Sequence, residues 1–275
     1  MNAPSKPTIG VFDSGFGGLT VLRELLPLIP GADYVYVGDT ARLPYGSKSR
    51  ATIARYAMES ALFLLDRGAE ALVIACNTAT ALALPDIHSV AGRTPVVGVI
   101  EPAAHAIRSA LLPGRSAHVL VLATAATVGS HAYEIALSKL ALPATEKACP
   151  LLVPLIEEGW VDHPVTREVL RIYLREALDT CSPDVVLLGC THYPLIAPLV
   201  AETLRELGSP ARVIDSAHAT ALSVSAVVPH SGPSLSAAGA TFTCYATDSV
   251  EKFARLGSHF LGQPIPKVTL LDLGG

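Results

Sequence analysis

Short apolar runs alternate with stretches of helical periodicity along most of this chain, and this alternation limits the fold more than any other feature. Stretches 49–67 and 165–180 carry apolar residues three to four positions apart, which is typical of helices. A strand that follows a helix crossover pairs in parallel with an earlier strand, so the pattern predicts an α/β protein with parallel sheets flanked by helices. The predicted strands are 8–14, 33–39, 71–77, 95–100, 118–124, 184–190 and 211–215.

The composition indicates a well-packed globular chain. Its 275 residues are 50% hydrophobic and 16% charged, and this length is sufficient for two domains. No apolar run reaches the roughly 18–20 residues of a membrane-spanning helix, and the N-terminus has no apolar segment typical of a secretory signal. The net charge is −4 and the basic residues are scattered, which argues against nucleic-acid binding. We therefore expect a cytoplasmic protein without a nucleic-acid or membrane partner.

Two pairs of segments resemble each other. ALVIACNTATALALP (71–85) aligns with DVVLLGCTHYPLIAP (184–198), and IGVFDSGFGGLT (9–20) aligns more loosely with LVLATAATVGSH (120–131). This internal similarity predicts two related α/β lobes. The polar stretch 222–236, which contains proline and glycine, is predicted to be a loop.

Cys76 and Cys190 end two of the apolar runs, and small polar residues follow each of them directly. Ligands of open α/β sheets bind beyond the carboxyl ends of the strands, so both thiols are expected at a binding cleft. Each cysteine also stands where we expect a helix to begin, and the amides of a helix N-terminus favour the thiolate. The other three cysteines lack such flanks and are predicted to be core residues: Cys149, Cys181 and Cys244.

Several interpretations of the two cysteines compete. Either one alone is more typical of a small buried residue. Cys190 and His192 are too close in sequence for the usual zinc-ligand spacings, and an acyl-transfer pair of Cys190 with His192 leaves Cys76 without a role. A two-lobed binding protein needs no paired thiols. Two thiols on opposite sides of one cleft suit the inversion of a stereocentre, since one removes a proton while the other delivers one.

The glycine-rich segment DSGFGG (13–18) follows a predicted strand. It does not fit the dinucleotide or P-loop patterns, so its glycines are predicted to allow a tight turn and close backbone approach.

Six motifs, in order along most of the chain, resemble those of the aspartate/glutamate racemase family, in its glutamate-specific bacterial branch. They are IGVFDSGFGGLTV (9–21), YVGDTARLPYGSKS (36–49), LVIACNTATALALP (72–85), VVGVIEPAA (96–104), CPLLVPLIEEG (149–159) and LLGCTHYPLI (187–196).

This resemblance implies two pseudo-symmetric α/β lobes with the active site in the cleft between them. It implies a first lobe of 1–98 plus 208–275 and a second lobe of 99–207. It also implies interconversion of L- and D-glutamate without cofactor or metal, to supply D-glutamate for peptidoglycan. The expected partner is the small-molecule substrate, and a homodimer is the assembly that we consider. The alternative is racemisation of aspartate or another amino acid by the same two-thiol chemistry.

The resemblance also assigns residues. Cys76 and Cys190 match the two catalytic cysteines, with Cys76 facing the α-hydrogen of D-glutamate and Cys190 that of L-glutamate. The residues expected to assist proton transfer are Asp13, Glu157 and His192. The residues expected to bind substrate are Asp13, Ser14, Pro44, Tyr45, Gly46, Asn77, Thr78, Thr124, Thr191 and His192.

Three positions depart from the family pattern. Phe16 stands where a smaller apolar residue is usual, and we expect a packing role for it. The residues before Thr124 lack the usual Gly-Thr pair, which weakens the assignment of Thr124. His218 replaces a more usual acidic residue on a predicted surface helix.

Overall fold

A computed structural model describes residues 6–112, 116–228, 240–265 and 267–274. Within these ranges the chain forms ten strands, and all the pairings between neighbouring strands are parallel. The strands are β1 (Thr8–Asp13), β2 (Asp33–Gly38), β3 (Ala71–Ile74), β4 (Val96–Gly98), β5 (Val119–Ala123), β6 (Ala144–Ala148), β7 (Val185–Gly189), β8 (Arg212–Asp215), β9 (Thr241–Ala246) and β10 (Val268–Leu270).

Helices connect and cover these strands. The α-helices in the described ranges are α1 (Leu19–Leu28), α2 (Arg50–Asp66), α3 (Asn77–Ala91), α4 (Ile100–Ser109), α5 (Ala125–Gly129), α6 (Ala132–Ser138), α7 (Leu152–Glu157), α8 (Pro164–Leu178), α9 (Ala197–Glu206), α10 (Ala217–Val227) and α11 (Val250–Leu261). Short 3₁₀ turns cover Thr40–Arg42, Tyr45–Ser47 and Tyr193–Ile196. None of these helices combines the length and the hydrophobicity that a transmembrane segment requires.

The strands form two sheets. The first has the order β10-β9-β2-β1-β3-β4 and the second has the order β6-β5-β7-β8. The four strands β2-β1-β3-β4 therefore have the same order as β6-β5-β7-β8, with β1 matching β5 and β3 matching β7. This correspondence confirms the two related α/β lobes predicted from the internal similarity.

The apolar runs correspond to strands because the central strands are buried on both faces. Every residue of β3, β5 and β7 is buried, so continuous hydrophobicity is the pattern that they require. All seven predicted strands are present, and the predicted helices 49–67 and 165–180 match α2 and α8.

The sequence does not predict three of the strands, and each omission has a physical reason. β6 contains Glu146 and Lys147 and is only partly buried, because it lies at the edge of its sheet and has a neighbouring strand on one side only. β10 lies at one edge of the first sheet, β9 lies next to it, and both are only partly buried.

The predicted loop 222–236 is wrong over 222–227, which belongs to α10, while 229–239 lies outside the described residues. Helix α10 buries Ala217, Thr220, Ala221 and Val224 through small side chains. Their weak hydrophobicity concealed the helical periodicity.

The expected boundary between the lobes, at residues 207 and 208, precedes the last strand of the second sheet. Strand β8 follows that boundary, yet it pairs with β7, from Val185 with Arg212 to Leu188 with Asp215. The second sheet therefore extends to Asp215.

Candidate active site

A cavity of about 190 Å³ lies where the carboxyl ends of strands from both sheets meet. This volume is below the roughly 300–1,000 Å³ of sites for drug-sized ligands, so the cavity suits a small metabolite. The predicted site residues that line it are Ser14, Pro44, Tyr45, Gly46, Cys76, Asn77, Thr78, Thr124, Glu157, Cys190, Thr191 and His192.

Cys76 follows β3 and caps the N-terminus of α3, because its Sγ accepts a hydrogen bond from the amide of Ala79 at 3.4 Å. The pairing of β1 with β3 aligns Phe12 with Ile74, which brings Ser14 beside Cys76. The thiol donates to Ser14 Oγ at 3.5 Å.

The expected lowering of the thiol pKa at this helix start is wrong for Cys76. Burial, reinforced by the negative charge of Asp13, raises the pKa of Cys76 to about 12. The hydrogen bonds from Ser14 and Ala79 oppose this shift but do not outweigh it. At neutral pH Cys76 is therefore a thiol that can donate a proton.

Asp13 lies behind the cavity wall and is fully buried. Its carboxylate accepts hydrogen bonds from the amide of Gly15 at 2.9 Å and from Thr191 Oγ1 at 3.3 Å. Burial raises the pKa of Asp13, against the opposing effect of charge on His192. Asp13 is not among the residues that line the cavity. Its expected contact with the substrate can therefore be only indirect, through neighbouring residues.

Cys190 follows β7 in the second lobe and begins a chain of hydrogen-bonding groups. Its Sγ lies 3.9 Å from Nδ1 of His192, and Nε2 of His192 lies 3.1 Å from Oε1 of Glu157. The helix predicted to begin here is wrong, because a 3₁₀ turn starts at Tyr193 and α9 starts only at Ala197.

The imidazole of His192 is the cationic group of the cavity. Burial disfavours its charged form, but the hydrogen bonds and negative charges of Cys190 and Glu157 raise the pKa of His192 to about 10. Protonated His192 stabilises a negative charge on Cys190 Sγ. Cys76 is thus held as a thiol, whereas Cys190 has a cationic imidazole beside its sulfur.

Aromatic side chains hold the ring of His192 from the first lobe. The ring of Phe260 meets it edge-on at 5.2 Å between centroids, and Phe16 does so at 6.3 Å. This contact confirms a packing role for Phe16. The loop between β1 and α1 can approach His192 this closely only with glycine at position 17. A Cβ at Gly17 would lie 2.3 Å from Thr191 Oγ1 and 2.7 Å from His192 Nδ1.

Neutral hydrogen-bonding groups form much of the remaining wall. Thr78 Oγ1 lies 2.9 Å from Thr124 Oγ1 and 3.2 Å from Thr127 Oγ1, which joins the two lobes. Thr124 also caps α5 and lines the cavity, despite its departure from the family pattern. Lysine and arginine are not among the described residues that line the cavity.

The loop after β2 supplies Pro44, Tyr45 and Gly46 to the wall. The hydroxyl of Tyr45 donates to Asp39, whose carboxylate also accepts from Nε of Arg42 at 2.8 Å. A Cβ at Gly46 would lie 2.9 Å from Cβ of Thr124, so this loop packs closely on the second lobe.

Sequence reasoning missed seven further lining residues: Leu43, Ser47, Ala125, Cys149, Pro150, Val153 and Pro154. Most of them flank a predicted site residue or lie within the quoted motif 149–159. Cys149 is buried, as predicted for a core residue, but it also borders the cavity because it follows β6. Burial raises the pKa of Cys149 to about 12.

His218 lies outside the cavity. Its Nδ1 is 3.1 Å from Oε2 of Glu24, so it links α10 to α1 at the surface.

Asn77 presents a donor because of a buried tyrosine. The hydroxyl of Tyr133 donates to Oδ1 of Asn77, and Nδ2 of Asn77 is buried without a partner among the described residues. A tyrosine hydroxyl can fix the orientation of an amide in this way, which leaves Nδ2 for an acceptor on a ligand.

We predict that Tyr133→Phe raises KM roughly two- to tenfold, with a smaller effect on kcat, because the freed amide can turn its oxygen toward the ligand. Steady-state kinetics test this. Tyr34→Phe is the matched control, since it removes a buried hydroxyl that donates to Leu25 and Ile29 and does not line the cavity. A KM change that is equal in both variants would contradict the role of Tyr133.

Comparisons with known proteins agree with this geometry. The family model for Asp/Glu/hydantoin racemases matches residues 9–224. A glutamate racemase of Koribacter versatilis is 51% identical, over 98% of this chain and 99% of that protein. A glutamate racemase of Geobacter metallireducens is 41% identical, over 96% of both chains. The crystal structure of the Francisella tularensis glutamate racemase in complex with D-glutamate aligns with a TM-score of 0.86 at 33% identity, over 98% of both chains.

Proposed function

The chain belongs to the Asp/Glu/hydantoin racemase family and is an isomerase that acts on glutamate, and we propose that Cys76 and Cys190 perform the inversion by two-base proton transfer without a cofactor. One observation carries this mechanism: two thiols from different sheets face one small cavity. Inversion requires proton removal on one face of Cα and proton delivery on the other. Identical groups in opposite protonation states satisfy both directions of the reaction.

In the resting state we assign the base to Cys190 and the acid to Cys76. Protonated His192 stabilises the Cys190 thiolate, and Glu157 in turn accepts a hydrogen bond from His192. The raised pKa of Cys76 keeps its proton available for delivery to Cα. By resemblance, Cys190 faces the α-hydrogen of L-glutamate, so this state removes the proton of the L enantiomer.

Asp13 and His192 serve the return reaction. After one inversion Cys76 is a thiolate and Cys190 is a thiol, which is the state that accepts D-glutamate. When the resting protein meets D-glutamate instead, the proton of Cys76 can pass to Asp13, whose pKa is raised by burial, while protonated His192 gives a proton to Cys190.

The substrate carboxylates are bound by neutral donors in this proposal. Asn77, whose Nδ2 has no partner among the described residues, lines the cavity together with Thr78, and the N-terminus of α3 adds its amides. Negative charge that develops on the substrate in the transition state benefits from donors that are already fixed in place.

The pH dependence follows from the two protonation states. We expect kcat/KM to fall on the alkaline side near pH 10, where His192 becomes neutral. The apparent values belong to the coupled groups, not to single residues. Initial rates across the pH range check this, and a profile that keeps rising above pH 10 would contradict it.

Optical rotation of L-glutamate tests the function directly. We expect racemisation by protein that has been dialysed exhaustively against a chelator. Matched samples with L-aspartate test the alternative substrate. A folded sample that leaves L-glutamate unchanged would overturn the assignment to glutamate, and recovery only with added metal would overturn the cofactor-free mechanism.

The cellular setting completes the proposal. D-Glutamate made in the cytoplasm supplies peptidoglycan synthesis, and a homodimer stays a prediction. We propose one lobe built on the first sheet and a second lobe that runs from residue 99 to Asp215, the last residue of β8.

A further inference from the structure

Three potential metal ligands meet at the start of α6, outside the cavity. Nδ1 of His131 lies 3.0 Å from Oε2 of Glu134 and 3.5 Å from Oε2 of Glu146. One ligand atom from each residue lies within 4.8 Å of the others. His131 and Glu134 belong to the loop and first turn of α6, whereas Glu146 belongs to the edge strand β6.

Glu146 is an independent sign that a cation belongs there. Its side chain is only 4% exposed, and neither carboxylate oxygen has a hydrogen-bond partner among the described residues. The backbone amides of Tyr133 and Glu134 are near enough to favour the charged carboxylate, but neither meets hydrogen-bond geometry. A buried carboxylate without donors is costly, so such groups are normally paired or bound to a metal.

Protonation of His131 does not balance the negative charge of this cluster. One imidazole carries at most one positive charge, whereas Glu134 and Glu146 bring two negative charges. A divalent cation neutralises both carboxylates and leaves the imidazole neutral, in the form that binds metals.

The geometry points to a metal site. We propose that His131, Glu134 and Glu146 bind a divalent first-row transition-metal ion, with Zn²⁺ as the reference ion. In a tetrahedral site with bonds of about 2.0–2.2 Å, neighbouring ligand atoms lie roughly 3.3–3.6 Å apart. The separations of 3.0 and 3.5 Å between Nδ1 of His131 and the two carboxylates need only a small adjustment, and all three ligand atoms lie within 4.8 Å of one another. An imidazole ligand favours zinc, copper or nickel over magnesium or calcium.

The ion stabilises the fold and takes no part in racemisation. His131, Glu134 and Glu146 are not among the residues that line the cavity. Their metal ties the start of α6 to β6, next to Tyr133, which contacts Asn77. Binding of a ligand to the folded chain alone raises its thermal stability, so the effect of the metal is measurable without any assay of catalysis.

Titration of the metal-free full-length protein with Co²⁺ tests the site. We expect one equivalent of bound Co²⁺ with visible d–d absorption and no sulfur-to-metal charge-transfer band, which distinguishes this site from the active-site thiols. Glu146→Gln and His131→Ala should each weaken Co²⁺ binding at least about tenfold. The matched control Glu101→Gln, at an exposed glutamate of α4, should bind Co²⁺ as the wild type does.

Thermal unfolding provides a second measurement. Its result distinguishes side chains that bind the metal from side chains that only support the fold. Without metal, Glu146→Gln should melt at or above the wild-type temperature, because it removes a buried charge. With saturating Zn²⁺ this order should reverse. His131 is 63% exposed, so His131→Ala gives the same comparison if Glu146→Gln fails to fold. Wild-type Co²⁺ affinity in both variants, cobalt bound only through sulfur, or a melting temperature that Zn²⁺ leaves unchanged would each overturn the proposal.

Discussion

Alanine at either Cys76 or Cys190 should reduce racemisation by about 10⁴-fold, the upper end of the effect of a general acid or base. Each variant removes one of two groups that have to act on opposite faces of Cα. The loss should appear in kcat, because the Asn77 and Thr78 donors remain in place. Time courses of optical rotation with each enantiomer measure this loss.

Cys149→Ala is the matched control for this pair. Cys149 borders the same cavity and has the same raised pKa of about 12 as Cys76, but we give it no role in proton transfer. We expect its kcat to stay within a few-fold of the wild type. A loss in Cys149→Ala as large as that in Cys76→Ala would show that cavity packing, rather than two-base chemistry, sets the rate.

His192→Asn should lower kcat by roughly 10²–10⁴-fold and change KM much less. Asparagine keeps a polar group of similar reach, but it cannot carry the charge that stabilises the Cys190 thiolate. The alkaline limb of the pH profile near pH 10 should disappear in this variant, because His192 is the group that produces it.

Glu157→Gln separates positioning from charge. The glutamine can still contact Nε2 of His192, 3.1 Å from the present carboxylate, but it removes one of the groups that raise the pKa of His192. We expect a smaller loss of kcat than in His192→Asn and an alkaline limb at lower pH.

A wild-type kcat and pH profile in His192→Asn would contradict the role of His192 in proton transfer and leave it a packing role between Phe16 and Phe260.

The sequence predicts the centre of each sheet better than its edges. Buried central strands such as β5 and β7 must be apolar throughout, so their sequences are recognisable without any other information. The edge strand β6 contains Glu146 and Lys147, and helix α10 buries small side chains, so neither has a clear pattern. The path of β8 into the second sheet depends on tertiary pairing, which local periodicity does not encode.

The active site, like the sheets, can be predicted from the sequence only in part. Motifs place polar residues at strand ends, and the parallel sheets then bring those ends together at the cavity. The sequence predicts a lowered pKa for Cys76, whereas burial raises it, because a helix start is visible in sequence and the depth of burial is not. The contact of Tyr133 with Asn77 joins residues far apart in sequence and has no local signal.

Rates of racemisation alone do not assign the two faces. The enantiomers of glutamate have equal free energies in water, so any variant must keep equal values of kcat/KM in the two directions. Exchange of the α-hydrogen with solvent has no such constraint, because a single base can remove a proton and return another to the same face.

Exchange of the α-hydrogen in deuterated water by the single alanine variants therefore tests the two-thiol mechanism most directly. Wild-type protein should incorporate deuterium mainly into the inverted product. Cys76→Ala should exchange the α-hydrogen of L-glutamate slowly, without inversion, and leave D-glutamate unlabelled. Cys190→Ala should show the opposite preference. Equal exchange of both enantiomers by either variant, or racemisation near the wild-type rate, would contradict proton transfer by Cys76 and Cys190.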